Sequence, residues 1–299
     1  MQIKTEIFGV IGQGFVGGSL RAGFEEITDI IVETYDIAKP NVSTCKTSKE
    51  LFEKSDIIFI CVPTPMKKSG KCDTRIVEGV LDQIHNYSLE NNVHKIAVVK
   101  STIPPGSTAM WNDKFGRSKF RVVFNPEFLT EANAKEDFLN QNRIILGGPV
   151  KQVEYVKQIY NRFTSRQDEN VSCNIITTSS TTAEFVKYVT NCYLAMKVSF
   201  SNEIYQIANA IGVDYNELMD TTTIDSRISR RHTQVPGPDG NLGWGGHCFP
   251  KDLKALIYVA NNLGVDPIML QATWDKNEAV RPEHTRDWEH MIGRAISQD

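Results

Sequence analysis

Along the first half of the chain, short apolar runs alternate with stretches whose apolar residues recur every three or four positions. The runs predict strands at Glu6–Ile11, Ile30–Tyr35, Asp56–Val62, Ile96–Lys100, Arg121–Phe124 and Arg143–Gly147, with a last candidate at Asn174–Thr177. The helical spacing predicts helices at Val16–Phe24, Ser48–Lys54 and Thr74–Asn86. Strands buried on two sides lose their polar alternation, so β-branched runs alternating with helices indicate a parallel sheet covered on both faces.

From Thr181 the period changes. Thr181-Thr182-Ala183-Glu184 reads as a capping box. Behind it Phe185, Val189, Cys192, Met196, Phe200, Ile204, Ile207 and Ile211 recur at helical intervals. That pattern predicts a helix of roughly 30 residues, about 45 Å long. Such a helix needs cover from more than one domain or from another subunit. Further helices are expected at Tyr215–Asp220, Asp252–Leu263 and Pro267–Ile296, the last kinked at Pro282. Between them runs a Gly- and Pro-rich loop, Ser226–Pro250, long enough to suggest function. The expected division is an α/β domain over residues 1–175 and an all-helical domain over 176–299, built on the long helix.

Composition narrows the function classes. With 299 residues, 40% hydrophobic and 23% charged, the chain has ample material for two cores. A net charge of −3 offers no broad basic field for nucleic acid or an anionic membrane. No apolar run approaches the ~20 residues of a membrane helix. Met1–Glu6 carries no signal-peptide pattern, which makes the cytosol the expected location. The six cysteines (45, 61, 72, 173, 192 and 248) form no Cys-x-x-Cys pair and have no histidine cluster, so no zinc site is expected. Most read as small buried hydrophobes. Cys248 does not.

Gly9-Val10-Ile11-Gly12-Gln13-Gly14-Phe15-Val16-Gly17 places Gly-x-Gly-x-x-Gly after the first strand and at the start of a helix. Gly12 permits the tight turn, Gly14 lets the backbone approach a pyrophosphate, and Gly17 lets helix and strand pack closely. Phe15 and Val16 open the helix whose N-terminus would face the phosphates. Asp36, after the second strand, stands where an acid accepts hydrogen bonds from a ribose diol and repels a 2′-phosphate. This favours NAD over NADP, with Lys39 close enough to modify that preference. The pattern is that of a Rossmann-type doubly wound sheet. Its bland alternative is a glycine turn beside a solvated aspartate.

Four more strings extend the pattern: Val62-Pro63-Thr64-Pro65 with Gly70 and Asp73; Lys100-Ser101-Thr102-Ile103-Pro104-Pro105-Gly106; Asn125-Pro126-Glu127-Phe128-Leu129-Thr130-Glu131; and Gly245-Gly246-His247-Cys248-Phe249-Pro250-Lys251-Asp252. With Glu184, Lys187, Tyr188 and Asn191, the chain resembles the UDP-glucose/GDP-mannose dehydrogenase family from Gly9 to about Asn277. The resemblance implies oxidation of a sugar primary alcohol to a carboxylate with two NAD per turnover, most readily UDP-glucose to UDP-glucuronate. Cys248 would be the nucleophile that carries thiohemiacetal and thioester intermediates. Lys187 and Asn191, one turn apart on a helix face opposite Phe185, would stabilise oxyanions. Asp252 and Thr102 would position or deprotonate water, and Glu127 would be the hydrolytic base.

Thr64, Pro65, Thr102, Glu131 and Lys251 would join the glycine turn, Asp36 and Lys39 around the cofactor. Glu127, Phe128, Leu129, Lys187, Asn191, Gly245 and Arg227 would line the nucleotide sugar, Arg227 reaching a neighbouring subunit's substrate with Arg230 and Arg231 beside it. A homodimer through the helical domain is implied. Taken singly, Lys187 reads as a solvent-facing helix lysine, Glu127 and Glu131 as a charged helix surface, the arginines as an exposed basic loop, and Cys248 as an inert thiol.

Three features depart from the family pattern. His247 replaces a small hydroxyl residue. Val235–Gly240 looks inserted. The chain stops before the family's third, second-Rossmann-like domain. Two rival readings follow: a two-electron dehydrogenase of the 6-phosphogluconate or hydroxyisobutyrate kind, and a non-catalytic nucleotide-binding module.

Overall fold

The computed structural model describes residues 6–26, 30–164 and 172–298. The reading made on Met1–Thr5 lies outside them. The chain divides into two compact units, Met1–Thr64 with Thr74–Lys187, and Pro65–Asp73 with Tyr188–Asp299. The division falls inside a continuous helix rather than at residue 175.

The first unit is a seven-stranded sheet. β1 (Glu6–Ile11), β2 (Ile30–Tyr35), β3 (Ile57–Ile60), β4 (Lys95–Val99), β5 (Phe120–Phe124), β6 (Arg143–Gly147) and β7 (Asn174–Thr178) lie in the order β2-β1-β3-β4-β5-β6-β7. The expected all-parallel sheet needs one correction: β6 pairs antiparallel to β5, while β7 pairs parallel to β6. Alternate strand residues feed two cores. Phe8, Val10, Ile57, Phe59, Val98 and Val123 pack on one face, and Ile11, Ile58, Ile60, Val99 and Phe124 on the other. Helices cover both: α1 (Phe15–Glu25), α2 (Ser48–Lys54), α3 (Arg75–Asn91), α4 (Ser107–Phe115), α5 (Ala134–Leu139) and α6 (Val150–Thr164). Strand order reverses between β1 and β3, the point where open α/β sheets leave a crevice at their carboxyl edge.

Helix α3 runs five residues past its predicted end, and α4, α5 and α6 fall where no element was expected. Helix α7 (Ser180–Ile211) spans 32 residues, but its start corrects the capping-box reading. Ser179 Oγ accepts the Thr182 N–H at 3.1 Å. Glu184 instead turns to α4, accepting the N–H groups of Gly106 and Thr108 at 2.5 and 2.8 Å. Those are donors that the glycine at the α4 N-cap has no side chain to satisfy.

The second unit holds the rest of α7, then α8 (Tyr215–Thr222), α9 (Cys248–Asn262) and α10 (Ile268–Val280). Two expectations are corrected. Helix α9 begins four residues earlier than predicted, which puts Cys248 in its first turn and ends the long loop at His247. The predicted Pro267–Ile296 helix stops at Val280, with Arg281 extended at φ −90°, ψ 116°. Pro282 disfavours the helical conformation for the residue before it. The chain continues as two short 3₁₀ turns, Glu283–Thr285 and Asp287–His290. Trp244, Trp274 and Trp288 form the centre of this unit's core, with ring centroids 5.7–6.1 Å apart.

Glu184→Ala is expected to lower stability by about 1–2 kcal/mol, the scale of a lost helix cap. Glu184→Gln should recover part of that loss. Urea unfolding of the three proteins checks both.

Candidate active site

The first unit gathers its candidate residues along the carboxyl edge of the sheet. Gly12 has φ +90°, and a Cβ there would meet the Cys61 carbonyl at 2.6 Å, so only glycine makes this turn. A Cβ on Gly17 would collide with the Gly12 carbonyl oxygen. Gly14, the exposed N-cap of α1, has nothing within 4 Å of that position. The first turn of α1, with Phe15 and Val16 half-buried, carries no acid and no side-chain cap. Asp36 Oδ2 accepts the Gln13 N–H at 2.6 Å, and Lys39 Nζ donates to the Gln13 carbonyl at 2.9 Å. The acid and the glycine turn are thereby tied together, and the carboxylate keeps acceptor capacity for a diol. A dinucleotide fits this cradle.

After β4 come Lys100 and Thr102, and after β5 Asn125 and Glu127, all buried. Lys187 reaches down from α7, its Nζ donating to the Glu127 carbonyl at 2.7 Å and to Oε1 at 3.1 Å. Lys187 is 3% exposed, which corrects the solvent-facing reading. Glu127 lies in a stretch without helix or strand, so it shares no helical face with Glu131. The latter is exposed in a 3₁₀ turn. Burial pushes the Glu127 pKa up, but the Lys187 charge, the Leu129 N–H at 2.8 Å and Lys100 outweigh it and hold the carboxyl below its ordinary range. Phe128 stacks under Arg143 and Lys187, whose charges lie 4.3 and 5.4 Å from its ring centre.

One group in this cluster was quoted in a motif without a role. Lys100 Nζ donates to Asn125 Oδ1 at 2.9 Å, the same oxygen that accepts Tyr160 OH at 2.6 Å. Asn125 Nδ2 donates in turn to the Ile145 carbonyl at 2.9 Å. The turn leading to Glu127 is therefore held from three elements. The spacing of Asn125 and Glu127 was visible in sequence; the contribution of Tyr160, on an unpredicted helix, was not.

In the second unit Cys248 is half-buried at the first position of α9, with His247 as N-cap. Asp252, one turn later, is 1% exposed. Its Oδ2 accepts Asn191 Nδ2 at 2.6 Å and its Oδ1 accepts Lys251 Nζ at 2.5 Å. Burial pulls the Lys251 pKa down, but Asp252 and the Cys248 and Cys72 sulfurs hold the ammonium above the ordinary lysine range. Burial raises the thiol pKa at Cys45, Cys61, Cys72, Cys173 and Cys192. Cys248 differs in place: it opens a helix and lies close enough to Lys251 to act on its charge.

The remaining candidates are placed as follows. Thr64 is buried after β3, and Pro65 opens the 65–73 loop, its carbonyl accepting the Asp73 N–H at 2.8 Å. Gly245 is half-buried in the cysteine loop. Arg227 stands 86% exposed, paired with Asp225, and Arg230 pairs with Asp220. Among the described residues no group of three or more His, Cys, Asp or Glu is arranged for a metal, and no helix is long and apolar enough to cross a membrane.

Residues 43–164 match the NAD binding domain, and residues 181–279 the central domain, of one dehydrogenase family. The chain belongs to the UDP-glucose/GDP-mannose dehydrogenase family. The cofactor of that family's first domain is NAD, which the glycine turn and Asp36 suit. The chain is 34% identical over 233 residues to UDP-glucose 6-dehydrogenase TuaD of Bacillus subtilis, covering 76% of this chain and 47% of that protein. The fold matches a UDP-glucose dehydrogenase from Pyrobaculum islandicum with a TM-score of 0.80 at 28% identity, over 93% of this chain and 69% of the other. It matches a GDP-mannose dehydrogenase from Pseudomonas aeruginosa with a TM-score of 0.64 at 28% identity, over 91% and 68%. The chain spans about half the length of several curated relatives it matches.

Burial lowers the Lys100 pKa to about 8, against about 10.4 in an unfolded chain. Between those values the unfolded state binds more protons, so this group makes stability rise with pH across that window. Denaturant unfolding should show the wild type gaining stability relative to Lys100→Met from about pH 8 to 10.4. A flat difference would contradict the charged, buried lysine.

Proposed function

We propose that this member of the family oxidises a nucleotide-sugar primary alcohol to a carboxylate, UDP-glucose to UDP-glucuronate, through a covalent intermediate on Cys248. The observation that carries the reading is the position of Cys248 in the first turn of α9, beside Lys251 and one turn before the buried Asp252. The relatives named UDP-glucose dehydrogenase favour UDP-glucose, and the GDP-mannose dehydrogenase marks an alternative substrate. NAD, when bound, accepts the hydride of each oxidation.

The chain's own residues do the rest. The Cys248 thiolate adds to the aldehyde carbon left by the first oxidation, forming a C–S bond and an oxyanion. Lys187 and Asn191, presented one turn apart by α7, donate to that oxyanion. The second oxidation leaves a thioester. Water adds to it, its proton passes to Glu127, and the C–S bond breaks to return the thiolate. The Lys187–Glu127 pair supports a coupling between these steps. While the ammonium lies on Glu127 it depresses the carboxylate's basicity; as it turns to the oxyanion, Glu127 regains that basicity at the stage that needs a base. Asp252, held by Asn191 and Lys251, and Thr102 orient the water.

Helix α7 supports a homodimer. Phe185, Val189, Tyr193, Phe200, Ile207 and Ile211 are exposed, Phe200 at 62% and Ile211 at 69%, which suits a second copy of the chain. Arg227 then belongs to the partner's nucleotide.

Three measurements test the proposal. Purified protein given UDP-glucose should form two NADH per sugar consumed, and Cys248→Ser should form no carboxylate by mass spectrometry. A ratio of one supports the two-electron reading, and NAD binding with no turnover supports the module. Phe200→Glu should shift the protein to monomer in sedimentation velocity, where a wild-type monomer would remove the dimer.

A further inference from the structure

The loop that delivers Cys248 is held by hydrogen bonds at Gly243, Trp244 and Gly246, and most of its holders lie late in the chain. Asn277, 1% exposed on α10, clamps Trp244: its Oδ1 accepts the Trp244 N–H at 2.7 Å and its Nδ2 donates to the Trp244 carbonyl at 3.0 Å. Asn202 accepts the Gly243 N–H at 3.0 Å. Beyond α10 the broken helix folds back. Arg281, 3% exposed, donates to the Leu242 carbonyl at 3.3 Å and to Asp239 at 2.6 Å. The Asp287 carboxylate accepts the Gly246 N–H with both oxygens, at 3.0 and 3.1 Å, two residues before the sulfur.

The fit is close. A Cβ at Gly245 would lie 2.5 Å from Arg281 Nη2 and 2.7 Å from Asp287 Oδ1, so the loop backbone rests directly on these two side chains. Gly246 has φ +72°, a conformation that favours glycine. Next to Asp287, Trp288 is 2% exposed and packs its ring 6.1 Å from that of Trp244. One residue thus grips the loop backbone while its neighbour stacks on the loop's aromatic anchor. Farther along, the Met66 N–H donates to the Ala295 carbonyl at 2.8 Å, the Ser297 N–H to the Met66 carbonyl at 2.7 Å, and Ser297 Oγ to Asp73 at 2.8 Å.

We infer that residues 281–297 form a strap that fixes the cysteine loop, with Asp287 as the positioning residue that sets Cys248 at the head of α9. The strap also grips the 65–73 loop, so it ties two candidate-bearing loops of the second unit to one frame. The helix N-terminus and Lys251 act on the sulfur only while it is held at that first position. Releasing Gly246 spreads the sulfur over positions away from the helix N-terminus and Lys251, where alkylation is slower. This inference rests on the reading of Cys248 as the reactive sulfur, but its test does not require turnover.

The experiment compares Asp287→Ala with Asp287→Asn in the full chain. Both variants remove the negative charge, and the asparagine keeps an acceptor oxygen for the Gly246 N–H, so their ratio isolates the hydrogen bond. Iodoacetamide labelling of Cys248 at pH 7, followed by peptide mass spectrometry, should be about five-fold slower in Asp287→Ala than in Asp287→Asn, the scale of one hydrogen bond. Asp287→Asn should label at the wild-type rate or faster. Thermal melts confirm that both variants are folded at the labelling temperature. Equal labelling of the two folded variants, or faster labelling of Asp287→Ala, overturns the strap. If the NADH ratio failed while the labelling difference held, the function would be wrong and the strap right; the reverse outcome would mean the opposite.

Discussion

The chemistry of this chain depends on α7 burying its polar side. An amphipathic helix on a protein surface turns its apolar stripe to the core, yet here Phe185, Val189, Phe200 and Ile207 are exposed while Glu184, Lys187, Asn191, Ser199 and Asn202 are buried. Each buried polar group must find a partner or cost the protein its desolvation. Glu184 therefore caps α4, Lys187 pairs with Glu127, Asn191 donates to Asp252, Ser199 accepts the Trp244 indole N–H, and Asn202 accepts the Gly243 N–H. Five side chains on one helix thus organise a helix start, two buried carboxylates and the run into the cysteine loop. The exposed apolar stripe is the other consequence of that inversion.

Such an arrangement is poorly explained by stability. A buried ion pair such as Lys187–Glu127 recovers its desolvation only with good geometry, and well-packed apolar residues often serve a fold as well or better. Adding Lys100 within reach of the same carboxylate, with its own pKa depressed by burial, deepens the cost. A site that must hold a base ionised and then release it has a use for this cluster; a packing core does not. That is a physical reason, beyond the likeness to relatives, behind the proposal that this pair supplies an oxyanion donor and a base.

The sheet was legible because its strands are buried on both faces. Runs such as Ile57-Ile58-Phe59-Ile60 allow little else, and β1, β2 and β6 fall at their predicted bounds. Helix α6 is also legible, through Val153, Val156, Ile159, Tyr160 and Phe163 at helical spacing, although strand signals on both sides are stronger. The antiparallel β6 and the fate of Glu184 depend on distant partners. No local pattern separates a capping-box glutamate from one that reaches 78 residues back to Gly106. At the C-terminal side, Pro282 was read as a kink when it ends the helix.

The candidate site divides along the same line. The glycine turn and Asp36 follow from backbone demands of a few adjacent residues, and those demands are visible in one dimension; the Cys248 string was legible only through its resemblance to the family. The Glu127–Lys187 pair is 60 residues apart, and its members looked like surface charges when taken alone. Asp287 gave no signal, because a helix continued through Pro282 would have carried it away from the cysteine loop. The termination at Val280 turns Asp287 back toward Gly246 and Trp288 onto Trp244. A single proline thus decides which residues hold the loop before Cys248. The same sequence with a helix former at position 282 would keep its glycine turn and its sulfur but lose the carboxylate that seats the loop.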